Sequence, residues 1–100
     1  MINVQDIAVK LGITFGKPTN HRYLGTYLFE DHNCVTMTAN AYCKSAHVKQ
    51  YIGLVNSGMG KKIEEIRDFG YFADHIEKTK IIEGSGGFYV SATARLKKIR

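Results

Sequence analysis

Phe88-Tyr89-Val90-Ser91-Ala92-Thr93-Ala94-Arg95-Leu96 alternates apolar and polar residues without a lapse. A period of two marks a strand with one face against a core, here the face of Phe88, Val90, Ala92, Ala94 and Leu96. Gly84-Ser85-Gly86-Gly87 precedes it as a turn, and Lys80-Ile81-Ile82-Glu83 lies upstream of that turn. Residues 78–83 and 88–96 therefore read as a hairpin. Opposing Glu83 with Phe88 sets Ile81 against Val90 on the inner face. Lys80 then falls opposite Ser91 and Lys78 opposite Thr93 on the outer face, beside Tyr89, Arg95 and Lys97.

A second hairpin is expected upstream, from residues 22–30 and 34–43 across a three-residue loop, Asp31-His32-Asn33. That loop pairs Glu30 with Cys34, Phe29 with Val35 and Tyr27 with Met37, and it gathers Tyr27, Phe29, Val35 and Met37 on one face. The opposite face then exposes Leu24, Leu28 and Tyr42, which suits contact with a protein partner, a second copy of the chain or a covering helix. Residues 3–11 read as a short helix: Asn3 caps it, Asp6 suits its first turn, and Val4, Ile7, Ala8 and Leu11 share a face. Gly12 stops it. A helix over residues 46–56 is expected to break at Ser57-Gly58-Met59-Gly60, with another over residues 61–69. Residues 71–77 fit a helical turn or a loop. The expectation is a single α+β domain over residues 1–100, of order α-β-β-α-α-β-β, with about three helices on one side of a small antiparallel sheet.

Charge is unevenly placed. Residues 1–77 carry as many acidic as basic side chains, so the whole net charge of +5 lies in residues 78–100, where Lys78, Lys80, Arg95, Lys97, Lys98 and Arg100 face one acid, Glu83. A local excess acts as a single field over one surface and points to an acidic partner, either nucleic acid or a carboxylate-rich protein. Tyr89 among these cations suits base stacking. Equally, cations on outer strands serve only to keep edges apart. With no long apolar run and no basic-then-apolar leader, the chain is expected in the cytoplasm and off the membrane.

Few side chains are spaced for catalysis. Glu64 and Glu65 are adjacent on a helix and do not face each other. His32, Cys34, Cys43 and His47 include metal-ligating types, but Cys34 and Cys43 lie nine residues apart on one strand. At ~3.3 Å per residue that separates them by about 30 Å and rules out a shared ion or a disulfide. No cofactor is expected. Gly58-Met59-Gly60-Lys61-Lys62, opening a helix, offers free N–H groups to an anion. It resembles the pyrophosphate-binding turn of GNAT acetyltransferases, matching at Gly58 and Gly60 but with Val55 where that family has Arg or Gln. That resemblance implies an acetyl-CoA site at Gly58, Gly60 and Lys61. Residues 4–14 resemble the first helix and turn of a helix-turn-helix, with Ala8 and Gly12 matching, until Gly16 and Pro18 interrupt the place of the recognition helix.

In size, α+β make-up and lack of a catalytic signature, the whole chain resembles small phage-encoded anti-defence proteins such as anti-CRISPRs. The resemblance implies a non-enzymatic inhibitor, in the cytoplasm of a bacterial host, that docks on a nucleic-acid-handling complex and occludes its nucleic-acid or subunit site. The docking residues would be Lys78, Lys80, Tyr89, Arg95, Lys97, Lys98 and Arg100. The other readings are a minimal acetyltransferase and a direct DNA- or RNA-binding module.

Overall fold

The computed structural model describes residues 3–99, the side chain of Ser45 excepted. Its organising element is β6 (Gly87–Lys98), the longest strand. Along one edge it pairs antiparallel with β3 (Cys34–Cys43), from Cys43 opposite Phe88 to Val35 opposite Leu96. Its other edge is shared end to end by β5 (Lys80–Gly84) and β4 (Tyr71–Ile76). β2 (Gly25–Asp31) flanks β3 antiparallel, and the two-residue β1 (Thr14–Phe15) flanks β2 in parallel. The result is a mixed six-stranded sheet. Helix α1 (Val4–Leu11) packs against β2, and α2 (Val48–Ile66) against β3 and β6, on the same side of the sheet.

The helices sit on a face made of alternate residues: Leu28, Met37, Ala39, Ala92, Ala94 and Leu96 are all buried with Val4, Ile7, Ala8 and Leu11 of α1. Three alanines on two neighbouring central strands lower the surface beneath α2, which fills the space with Met59 and Ile66. α1 forms as its sequence suggests. The Asn3 side chain accepts from the Asp6 N–H at 2.9 Å, and Gly12 ends the helix in the left-handed conformation at φ 71°.

Several expectations are corrected. α2 runs without a break through Gly58 and Gly60. Ile52, Val55, Met59, Ile63 and Ile66 keep a three-to-four-residue spacing across the glycines. A glycine in a helix interior costs about 1 kcal/mol relative to alanine, whereas burying Met59 or Ile66 contributes about 1.5–3 kcal/mol. Packing wins. Among the described residues there are two α-helices rather than about three, and α1 leads into β1 rather than into a recognition helix.

The β2–β3 turn has two residues, not three. His32 and Asn33 both adopt positive φ, 50° and 67°, the conformation of the primed hairpin turns. Register therefore shifts by one residue: Leu28 faces Met37, and Phe29 faces Thr36. Leu28 is fully buried under the helices, so it is no part of an exposed patch with Leu24 and Tyr42.

Residues 71–76 form a strand because β6 outreaches β5. With Glu83 opposite Phe88, β5 stops at Ser91, and the remaining edge from Ala94 to Lys98 is closed by β4. Two register irregularities accommodate this: a bulge between Ala73 and His75, and an extra residue at the β4–β5 join, where the Glu77 N–H donates to the Thr93 carbonyl at 2.9 Å.

Two glycines give opposite expectations. At Gly60 an added Cβ meets nothing within 4 Å, so Gly60→Ala should stabilise the chain by about 0.5–1 kcal/mol. At Gly87 the same atom would lie 2.5 Å from both the Cys43 carbonyl oxygen and the Tyr42 hydroxyl, so Gly87→Ala should destabilise by about 1–3 kcal/mol. Urea unfolding midpoints measure both; a loss at Gly60→Ala would put a turn where the helix runs.

Candidate partner-binding face

The sheet face away from the helices carries Lys80, Tyr89, Ser91, Thr93, Arg95 and Lys97 from the second hairpin. Glu83 opposite Phe88, Ile81 opposite Val90 and Lys80 opposite Ser91 are the pairs expected from the alternation. Lys80, Arg95 and Lys97 are exposed there. They are spread over six strand positions, about 20 Å at ~3.3 Å per residue. Lys97 pairs with Asp74 at 3.5 Å, while Lys80 and Arg95 have no ion-pair partner among the described residues.

Other members of the expected set lie elsewhere. Because Glu77 occupies the place against Thr93, Lys78 turns to the helix side. Lys98 shares the parity of Leu96 and sits opposite Tyr71, also on the helix side. Arg100 lies outside the described residues. Tyr89 is on the open face, but its ring packs between His21 and Tyr42, each with centroids 4.9 Å away. The Tyr42 hydroxyl donates to the Ser85 carbonyl at 3.0 Å and ties this cluster to the β5–β6 turn.

Gly58, Gly60 and Lys61 lie inside α2, where no helix begins, so the open N–H groups of a pyrophosphate turn are not formed. Gly60 instead joins Lys78 in lining a cleft of about 580 Å³ between α2 and the β4–β5 join. Its walls are largely apolar, including Ile52, Met59, Ile63, Ile76 and Ile81. Thr79 Oγ1 donates to Asn56 Oδ1 at 2.8 Å beside it. Cys34 and Cys43 stand at opposite ends of β3, one exposed and one buried, and no three His, Cys, Asp or Glu side chains converge among the described residues. No helix among them is long and apolar enough to cross a membrane.

The open face has a second feature that the sequence pattern did not reveal. β1 and β2 are adjacent and parallel, so the chain between them must return the length of the strands. Residues 16–24 make that return as a strap over the open face. Gly16 N–H donates to the Leu28 carbonyl at 2.9 Å, Asn40 Nδ2 donates to the Tyr23 carbonyl at 3.1 Å, and Lys17 pairs with Asp31 at 2.9 Å. The strap explains why Phe29, Thr36, Thr38 and Asn40 are buried although no helix covers them. Only the Thr36-x-Thr38-x-Asn40 alternation hinted at a separate polar surface there.

The hydrogen bond from Lys17 holds the Asp31 carboxyl below its ordinary value, against an opposing effect of desolvation, with the charges of Lys17, His32 and Arg95 adding to the lowering. The chain matches no protein-family model, no curated protein and no solved structure.

A depressed carboxylate makes its tie present above the ordinary value of 3.8 and loses it as pH falls through the lowered one. The protection factor of the Gly16 amide should therefore drop on acidification below that range while β6 amides hold, and Lys17→Met should abolish the dependence. Native-state hydrogen exchange by NMR measures this; identical pH profiles in the two proteins would remove Lys17–Asp31 as the tie.

Proposed function

We propose that this protein is a non-enzymatic binding module whose open sheet face docks on an acidic surface of a nucleic-acid-handling complex and occludes it. The observation that carries the reading is the alignment of Lys80, Arg95 and Lys97, all three exposed, on the helix-free face of the sheet. Cations on a sheet are held in register by main-chain pairing, so their spacing is kept with little loss of freedom on binding. Lys80 and Arg95, with no ion-pair partner among the described residues, are the two whose charge is available to a partner.

Two observations favour a carboxylate-rich protein over bare nucleic acid. The Tyr89 ring is already packed against His21 and Tyr42, which removes the aromatic surface on which a base would stack. Asp31 and Asp74 stand among the cations, a mixed pattern that suits a protein surface of matching charges better than a uniform run of phosphates.

Lys80→Glu combined with Arg95→Glu should weaken partner association by at least about tenfold while leaving the unfolding midpoint near that of the wild type. Wild type and double variant are compared as affinity baits in a nuclease-treated lysate, and in parallel against labelled RNA, single-stranded DNA and duplex DNA across a salt series. Retention of an acidic protein by the wild type alone supports the proposal. Tight nucleic-acid binding that falls steeply with salt makes the face a direct nucleic-acid surface instead. Equal retention by both proteins moves the interface elsewhere.

A further inference from the structure

We propose that the cleft beneath the strap is a binding site for a neutral monosaccharide. The cleft holds about 200 Å³ between the strap and the floor of the sheet. At ~30 Å³ per water that is the room of about seven waters, enough for one sugar ring and too small for an oligosaccharide.

Asn40 supplies the first argument. It is only 6% exposed and lines the cleft. Its Nδ2 donates to the Tyr23 carbonyl, which fixes the orientation of the amide, since the flipped form would set two oxygens against each other. Its Oδ1 is left buried and without a hydrogen-bond partner. A buried acceptor left without a partner loses its hydration and gains nothing in return, so it calls for a donor.

Proton accounting on the neighbouring threonines gives the second. Thr38 Oγ1 donates its single proton to the Ala92 carbonyl at 3.0 Å. The 3.1 Å contact between Thr38 Oγ1 and Thr93 Oγ1 must then use the proton of Thr93. Thr93 therefore offers the cleft lone pairs and no proton. Together with Asn40 Oδ1 these are acceptors on the floor, beside the Ser91 hydroxyl, which can both donate and accept.

The roof has the opposite character. Asn20 Oδ1 is occupied by the Arg22 N–H at 2.8 Å, which leaves its Nδ2 as a donor. Lys17, which lines the cleft, has its charge met by Asp31 at 2.9 Å, so it brings no unpaired charge for an ion. Floor acceptors, roof donors and a balanced charge select a neutral ligand whose groups both donate and accept, which is the chemistry of hydroxyls on a ring. Phe29 and Pro18, also lining the cleft, give the C–H face of such a ring an apolar surface.

Asn40 Oδ1 is closed off while the strap is down, so a ligand reaches this acceptor only as the strap lifts. The strap is held by exposed polar ties and none of its own large apolar side chains is buried, so the hydrophobic surface that lifting it uncovers is mainly that of Phe29. The site uses none of the cations assigned to partner docking, so each reading stands or falls separately.

The test is a titration of the isotope-labelled protein with D-glucose, D-ribose and myo-inositol, followed by amide NMR. Saturable shifts confined to Thr38, Asn40, Ser91, Thr93 and the strap are expected for at least one of them. Thr93→Val, which keeps the shape and removes the acceptor, should weaken that binding about tenfold, the weight of one hydrogen bond. Thr93→Ser should restore it, and also covers the case in which the valine variant folds poorly. Absence of saturable shifts with all three overturns the site, as does a long-lived water on Asn40 Oδ1 that no sugar displaces. Shifts unaltered in Thr93→Val place any binding outside the cleft and overturn it equally.

Discussion

The pairing of β6 on both edges is the constraint on which the rest of the molecule depends. One strand of alternating residues joins β3 on one side and the end-to-end pair β5 and β4 on the other. Its even-numbered residues from Val90 to Leu96 form the floor for α2, and its odd-numbered residues from Tyr89 to Lys97 form the open face. A slip of one residue would exchange the two sets, bury Arg95 and expose Leu96. The position of every cation on the open face follows from that register.

The two sides of the sheet are closed by different means. On the helix side the core is apolar, and alanines at 39, 92 and 94 let Met59 and Ile66 approach closely enough to hold α2 unbroken across its glycines. On the open side the cover is the strap, and what it buries is largely polar, Thr36, Thr38 and Asn40, beside the ring of Phe29. Hydroxyls and an amide packed beneath main chain and a lysine give up little when exposed. The helix side is thus the main source of stability, and the strap side is held by fewer and more exposed contacts.

Local signals were legible, and long-range ones were not. The β5–β6 register could be read because Gly84-Ser85-Gly86-Gly87 permits one tight turn and Phe88–Leu96 alternates strictly. α1 could be read from Asn3, Gly12 and four apolar positions. The β2–β3 register could not, since Tyr27, Leu28 and Phe29 are consecutive and aromatic or apolar. Periodicity assumes one buried face, and the strap buries the second. β4 was implicit in arithmetic: continuing the pairing of Glu83 with Phe88 sets Leu96 opposite position 75, so an uncovered half of β6 required a strand near there. Lys80, Arg95 and Lys97 were legible as a set, whereas Lys78 left it through one extra residue at Glu77. The acceptors of the cleft were beyond sequence reasoning, because Asn40 and Thr93 meet Tyr23 and Thr38 only through the fold.

Backbone nuclear Overhauser contacts across β6 test this account most directly. The structure predicts that main-chain protons of Ala94 meet those of Met37 on one edge and Ile76 on the other, and that those of Ser91 meet Asn40 and Lys80. Helical contacts within residues 71–76, or a set that pairs Ala94 with Thr36 or Thr38, would contradict it. The first result would remove β4 from the sheet, and the second would move Arg95 and Lys97 off the open face and remove the surface on which the functional reading rests.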